Sequence, residues 1–252
     1  MRVIAFSNQK GGTGKTTSTI NTGAALALSG YRVLLVDLDP QANLTFSLGI
    51  NTLEINKTVG RLLFDETVTN GLILTRGRLQ LIPSTPNLYS IEADLYLKSG
   101  REFLLRKALK NQEHYDYILL DCPPSAGIFT QNALMAASEI FIPVQAEYLA
   151  LQGMSQLLKT VEDIKKKSNP GLELGGIIAT RYDQRRVLNR EVIEKLQMHF
   201  GDLLFNTIIR ENISLAEAPS FGMDIFTYRP NSSGANDYLR LAAEVVERGF
   251  KK

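Results

Sequence analysis

Short apolar runs alternating with segments of helical length predict a doubly wound α/β fold, with a mainly parallel sheet and helices on both faces, in a single domain covering residues 1–252. Seven runs of strand length recur, at 2–7, 32–37, 79–83, 117–121, 139–144, 174–180 and 203–208. Segments of helical length and spacing lie between most of them, at 15–29, 103–110, 128–137, 151–167 and 190–200, and a closing helix is expected at about 234–248. Parallel strands are joined only by crossovers, so this alternation calls for helices packed on the sheet. No repeat, low-complexity tract or Pro/Gly linker divides the chain, and 49–77 is its least regular stretch.

Composition narrows the function classes. With 28 Lys and Arg against 26 Asp and Glu, the net charge is +2, so a nucleic-acid surface has to be a local patch rather than a global field. Cys122 is the single cysteine and can form neither an internal disulfide nor a metal site by itself, which suits a reducing cytosol. Neither His114 nor His199 follows a catalytic or metal-binding spacing, so Cys122 is read as a buried neutral thiol. The apolar run Val3 to Phe6 is too short for a secretory signal, and no stretch approaches the length of a membrane span. A cytoplasmic protein is expected.

The first predicted strand runs into Asn8-Gln9-Lys10-Gly11-Gly12-Thr13-Gly14-Lys15-Thr16-Thr17, and a helix follows at once. Strand, glycine loop and helix in that order make a phosphate-binding context. The glycines let backbone N–H groups turn inward around phosphate oxygens, and the helix N-terminus adds positive potential. Lys15 would reach the β and γ phosphates, and the Thr16 hydroxyl would ligate Mg²⁺. The loop departs from the usual phosphate-loop pattern in one way: Gln9 replaces its first glycine, and Lys10 sits just inside.

Ligands of doubly wound sheets bind beyond the carboxyl ends of the strands. The second strand ends there in Asp37-Leu38-Asp39-Pro40, whose carboxylates at i and i+2 share a side and can orient water near a metal. The strand Tyr117-Ile118-Leu119-Leu120-Asp121 closes on a carboxylate suited to the outer shell of Mg²⁺. Farther along, Arg181, Arg185, Arg186 and Arg190 form a dense basic patch after a strand. On charge alone it reads equally as a contact for DNA phosphates or as an intramolecular ion-pair network. The run Lys165-Lys166-Lys167 ends a helix, where cations suit the dipole.

Lys10-Gly11-Gly12-Thr13-Gly14-Lys15-Thr16-Thr17 resembles the deviant Walker A loop of the ParA/MinD family of P-loop ATPases, which includes the nitrogenase iron protein. The resemblance to the Soj-type ParA branch extends from Met1 to about Glu247 and takes in Pro143-Val144-Gln145-Ala146-Glu147-Tyr148. It implies ATP and Mg²⁺ as cofactors, with slow ATP hydrolysis. Lys10, Lys15 and Asp39 would be catalytic: Lys10 reaches across a dimer to the partner's phosphates and Asp39 positions the attacking water. Gly11, Gly12, Thr13, Gly14, Thr16 and Thr17 would cradle the nucleotide, and Asp37 would support the loop and the Mg²⁺ shell with Thr16 and Asp121. The segment 209–222 resembles the family's nucleotide-base loop and assigns Arg210 and Asn212 to the nucleotide. Arg185 matches the DNA-binding surface, and Arg186, Arg210, Lys195 or the Lys165-Lys166-Lys167 run would compensate for Ser214, where relatives often carry Arg. The implied function is an ATP-dependent homodimer on nonspecific, nucleoid DNA, released when a ParB-like partner stimulates hydrolysis. Two alternatives use the same chemistry, a ParA-like ATPase positioning another cargo and a MinD-like membrane regulator. The latter needs a C-terminal amphipathic helix, and the tail 241–252 stops too soon for one. The chain opens directly on its first strand, so an amino-terminal operator-recognition domain is not expected.

Overall fold

The computed structural model describes residues 1–65, 71–147 and 152–250. Among them the elements run β1 (Arg2–Phe6), α1 (Lys15–Leu28), β2 (Val33–Asp37), α2 (Asn43–Ser47), α3 (Val59–Asp65), β3 (Leu74–Arg76), β4 (Leu79–Ile82), α4 (Asn87–Leu97) and α5 (Leu104–Leu109). Then follow β5 (Tyr117–Asp121), α6 (Ile128–Ala136), β6 (Glu139–Gln145), α7 (Gln152–Lys167), β7 (Glu173–Thr180), α8 (Val187–Phe200), α9 (Ile213–Glu217), α10 (Ile225–Tyr228) and α11 (Ser233–Phe250). The strands form one sheet in the order β3-β4-β2-β5-β1-β6-β7, parallel throughout except for the β3–β4 pair.

Period-2 alternation divides the strand side chains between two cores. Val3 and Ala5 of β1, Leu34 and Val36 of β2, and Ile118 and Leu120 of β5 face α3 to α8. Ile4, Phe6, Val33, Leu35, Tyr117 and Leu119 face α1 and α11. Both faces are dry, which is why the strands read as unbroken apolar runs. Central β1 lies between β5 and β6, where the winding of the chain reverses. That switch point places the ligand crevice at its carboxyl end.

Two sequence expectations are corrected. The run at 203–208 is not a strand: Leu204 makes only an isolated bridge with Ile177, after a short 3₁₀ turn at Gly201–Leu203. The backbone N–H groups of Asn206 and Thr207 donate instead to the two carboxylate oxygens of Glu244 on α11, at 2.9 and 3.0 Å, which interrupts the ladder between the bonds that Phe205 and Ile209 make to β7. The seventh strand is β3, in the stretch that looked least regular, paired as an antiparallel hairpin with β4. Helices α3 and α4 also go unforeseen: α3 is short, though Val59, Leu62 and Leu63 are buried, and α4 buries only Leu88 and Leu95. Tyr148 and Leu151, named in the sequence expectations, lie outside the described residues.

Candidate functional site

Sheet register brings three strand ends to one level: Phe6 pairs with Asp121, and Asp121 with Asp37. The loop after β1 arches over them into α1. Gly12 and Gly14 take left-handed backbone conformations with φ of 74° and 85°, which side chains other than glycine rarely adopt. A Cβ placed on Gly11 or Gly12 would meet nothing within 4 Å, so the inner surface of the loop is an open cradle. Its outer surface is tied to the sheet. Thr180 Oγ1 at the end of β7 donates to the Thr13 carbonyl at 2.8 Å, and Asn8 Nδ2 donates to the Pro143 carbonyl at 2.8 Å.

A cavity of about 770 Å³ opens over this loop. Gly11 to Thr17 form its floor, Asp39 and Gln41 one wall, and Arg181 with residues 209–213 the opposite wall. Lys15 is buried, and its ammonium donates to the Lys10 carbonyl at 3.2 Å. Burial pulls its pKa down, while the carboxylate of Asp121, the Cys122 thiol and the carboxylate of Asp39 oppose that shift. A cation held this way keeps donors for an incoming anion.

The carboxylates differ in what they can do. Asp121 accepts from Thr16 Oγ1 at 2.7 Å and from Thr19 Oγ1 at 3.4 Å. Burial, then the neighbouring charge of Asp37, raises its pKa well above the usual carboxylate range against the Thr16 hydrogen bond. Asp37 is fully buried and does not line the cavity. Its oxygens accept from the Asp39 N–H at 3.1 Å, the Thr45 N–H at 2.9 Å and Thr45 Oγ1 at 2.7 Å. Burial pushes this carboxyl up to about 7 in spite of those bonds. Asp37 therefore braces the loop from beneath, whereas Asp39 stands at the cavity wall. Burial raises the pKa of Asp39, opposed by the Gln41 N–H bond and by Lys15.

No group of three or more His, Cys, Asp or Glu residues suited to a metal occurs among the described residues. A magnesium ion beside Thr16 and Asp121 would thus take most of its oxygen ligands from phosphate and water, as that ion commonly does. The buried, mutually repelling Asp37 and Asp121 carboxylates fit a nearby cation.

Lys10 is turned toward its own chain, where Nζ meets Glu147 Oε2 at 2.8 Å in a half-exposed pair. On the far wall, Arg210 chelates Asp237 of α11, with Nη2 to Oδ1 at 2.6 Å and Nε to Oδ2 at 3.0 Å. Asn212 caps α9 by accepting from the Leu215 N–H at 3.2 Å and donates to Ser233 Oγ at 2.7 Å. Both residues line the cavity with these polar atoms engaged.

The arginine patch is partly matched by acids. Arg185 forms a bidentate pair with Asp183 at 2.9 Å, yet its side chain is 86% exposed. Arg186 reaches Glu211 at 3.3 Å and Asp183 at 3.5 Å, and Arg181 reaches Glu211 at 3.8 Å. Lys195 is exposed on α8. The ion-pair network read from the sequence is present, and four arginines against the two acids Asp183 and Glu211 leave these pairs net positive. Cys122 is buried as expected, and burial pushes its thiol pKa up.

Sequence reasoning missed Thr180, Gln41 and Tyr238 as contributors to the cavity. Thr180 carried a usable signal, because it ends a parallel strand at the ligand edge. Tyr238, hydrogen-bonded to Ser18 across α11 and α1 at 3.1 Å, carried none.

The AAA domain family matches residues 1–174. The sporulation initiation inhibitor protein Soj of Bacillus subtilis is 45% identical over 98% of this chain and 99% of its own length. The chromosome-partitioning ATPase Soj of Treponema pallidum is 45% identical over 98% of both. A crystal structure of cobyrinic acid a,c-diamide synthase from Mycobacterium smegmatis, with bound ATP analogue and magnesium, superposes with a TM-score of 0.86 at 34% identity, covering 100% of this chain and 96% of that one. Whole-length likeness of this degree, on a chain whose glycine loop and Asp39 line one cavity, makes it a member of the Soj/ParA family of chromosome-partitioning ATPases.

Proposed function

We propose that this chain is a partition ATPase that binds ATP with Mg²⁺, pairs with a second copy, holds nonspecific DNA as the paired form, and lets go after hydrolysis stimulated by a ParB-like partner. One observation carries the reading: the open glycine cradle is lined at once by a buried lysine, Lys15, and a carboxylate, Asp39, above a hydroxyl–carboxylate couple, Thr16 with Asp121. Charge on a triphosphate matches the first, and an attacking water matches the second.

In this reading the N–H groups of residues 11 to 17 and the Lys15 ammonium hold the phosphates. Thr16 and Asp121 hold Mg²⁺, which when bound neutralises charge on the β and γ oxygens. Asp39 orients the water, and Asp37 keeps the Asp39 loop in place through the Asp39 and Thr45 amides. Lys10 leaves Glu147 to meet the partner subunit's nucleotide. The walls built from Arg210 and Asn212 enclose the base. Residues 1–252 act as one domain, cytoplasmic and nucleoid-associated. No described helix is long and apolar enough to cross a membrane.

DNA contact falls to Arg185 and Arg186, with Arg210 and Lys195 nearby in the chain. Pairing two chains doubles the phosphate contacts, so the nucleotide state sets DNA affinity. The test is a titration of nonspecific duplex DNA with ATP, ADP or no nucleotide at two salt concentrations, repeated with Arg185→Glu. Tight, salt-sensitive binding confined to ATP and lost in Arg185→Glu is expected. Equal affinity in all three nucleotide states would overturn the switch, and retained affinity in Arg185→Glu would overturn the surface.

A further inference from the structure

The loop that carries Asp39 turns sharply at Pro40-Gln41-Ala42, and Ala42 sits in the left-handed region with φ of 53°. A non-glycine residue stays there only where its surroundings over-determine it. Part of the restraint is internal: the Ala42 N–H donates to the Asp39 carbonyl at 2.9 Å and the Gln41 N–H to Asp39 Oδ1 at 2.8 Å. The rest comes from the segment that enters α4. Within the core, the Ser84 N–H donates to Thr45 Oγ1 at 2.9 Å, and that hydroxyl in turn donates to Asp37. On the solvent side, Gln41 Nε2 donates to the phenol oxygen of Tyr89, in the first turn of α4. Two struts thus join one short segment, 84–89, to both ends of the carboxylate loop.

The outer strut is not a packing contact. Gln41 is exposed and lines the cavity, and half of Tyr89 is open to solvent. Neither side chain buries enough surface to be kept for the core. The phenol hydroxyl is what reaches Gln41, whose own N–H holds the Asp39 carboxylate. The inner strut runs from the Ser84 backbone N–H through Thr45 Oγ1 to Asp37 and is fully bonded; the Ser84 hydroxyl, which has no hydrogen-bond partner, takes no part in it. Asp37 thus fixes the base of the loop through the Asp39 and Thr45 amides, and the outer bond adds a separate restraint at the Gln41 turn, whose N–H meets the Asp39 carboxylate.

We propose that Tyr89 is a positioning residue for hydrolysis: through Gln41 it holds the Asp39 carboxylate at the angle from which it orients water. This rests on the reading of Asp39 given above. Phosphate binding needs the glycine loop and Lys15 but not this strut, so its loss changes turnover and not affinity.

The test is steady-state ATP hydrolysis and nucleotide binding by Tyr89→Phe, Gln41→Leu, the double variant and Asp39→Ala. Tyr89→Phe and Gln41→Leu each lower kcat about fivefold, the effect of one neutral hydrogen bond, and Tyr89→Phe, whose side chain does not line the cavity, leaves KM and ATP affinity unchanged. The double variant is no slower than either single one, because both remove the same bond. Gln41→Leu alters only an exposed side chain, so it reads the strut even if Tyr89→Phe folds poorly. Wild-type kcat in both single variants, additive losses, or a rise in KM without a fall in kcat would overturn the proposal while Asp39→Ala is inactive. Full turnover in Asp39→Ala would overturn the Asp39 reading and the proposal with it.

Discussion

Replacing Thr180 with Val removes one hydroxyl while keeping the β-branched shape that strand β7 packs. That hydroxyl donates to the Thr13 carbonyl at 2.8 Å, and both residues are 2% exposed. No cavity forms, so the cost is the lost bond plus an unpaired, buried carbonyl, together about 2 kcal/mol. With an unfolding entropy of roughly 2.1 cal/mol/K per residue over 252 residues, the melting temperature falls by about 4 °C. The same bond holds the glycine loop in its open shape. A loop that must be ordered on binding loses affinity, and ATP binding weakens by about fivefold for roughly 1 kcal/mol of ordering. Differential scanning calorimetry without nucleotide and a titration with ATP read the two effects separately, and Thr180→Ser restores both. A Thr180→Val protein with wild-type stability and affinity would refute the claim that β7 anchors the loop.

Lys15→Ala removes a charged donor from the cavity floor, and ATP affinity and phosphate release both fall by about a hundredfold, at the strong end for a charged hydrogen bond; equilibrium binding with single-turnover assays checks this. In the nucleotide-free protein Asp37, pushed up to about 7 by burial, keeps a proton that the unfolded chain loses near pH 4. The native state then binds more protons than the unfolded one across that window, so stability falls as pH rises from 5 to 8, by on the order of 3 kcal/mol from this group. Asp183, held at about 2 by Arg185, has the opposite sign and acts only below about pH 4. Urea unfolding at both pH values measures the loss, and a flat profile would exclude an elevated Asp37. Gly222→Ala places a Cβ 2.7 Å from the Gly49 Cα at a φ of +67°, so two backbones must part; a loss of about 3 kcal/mol is expected in the same urea assay.

The phosphate loop was legible because its residues are contiguous, from Asn8 to Thr17, and because a strand and a helix flank them. Asp37 and Asp121 were legible as strand ends, since strands buried on both faces announce themselves as apolar runs. What escaped notice depends on partners far along the chain. Leu203 to Ile208 has the pattern of a strand, and Glu244, on another helix, diverts the amides of Asn206 and Thr207. Thr180 and Thr13 are 167 residues apart, so no local signal tells that one pins the other. Helix α4 buries Leu88 and Leu95 alone among its side chains, too few to show a helical stripe. The arginine patch was visible as charge, but its counter-charge from Glu211 was not.

Register also accounts for a cost the fold accepts. Asp37 and Asp121 face each other across β2 and β5, fully buried, and each raises the energy of the other's ionised form. Evened-out chemistry would put an apolar residue at one of these strand ends. Keeping both carboxylates makes sense if their jobs are separate: one is spent on the amides that shape the Asp39 loop, the other on the hydroxyl of Thr16 beside the cradle. A cation arriving at Thr16 lowers the cost of ionising Asp121, and its own positive charge offsets the repulsion between Asp121 and Asp37. Cation binding at the cradle is thereby coupled to the brace beneath Asp39, a route by which occupancy of one wall of the cavity sets the firmness of the other.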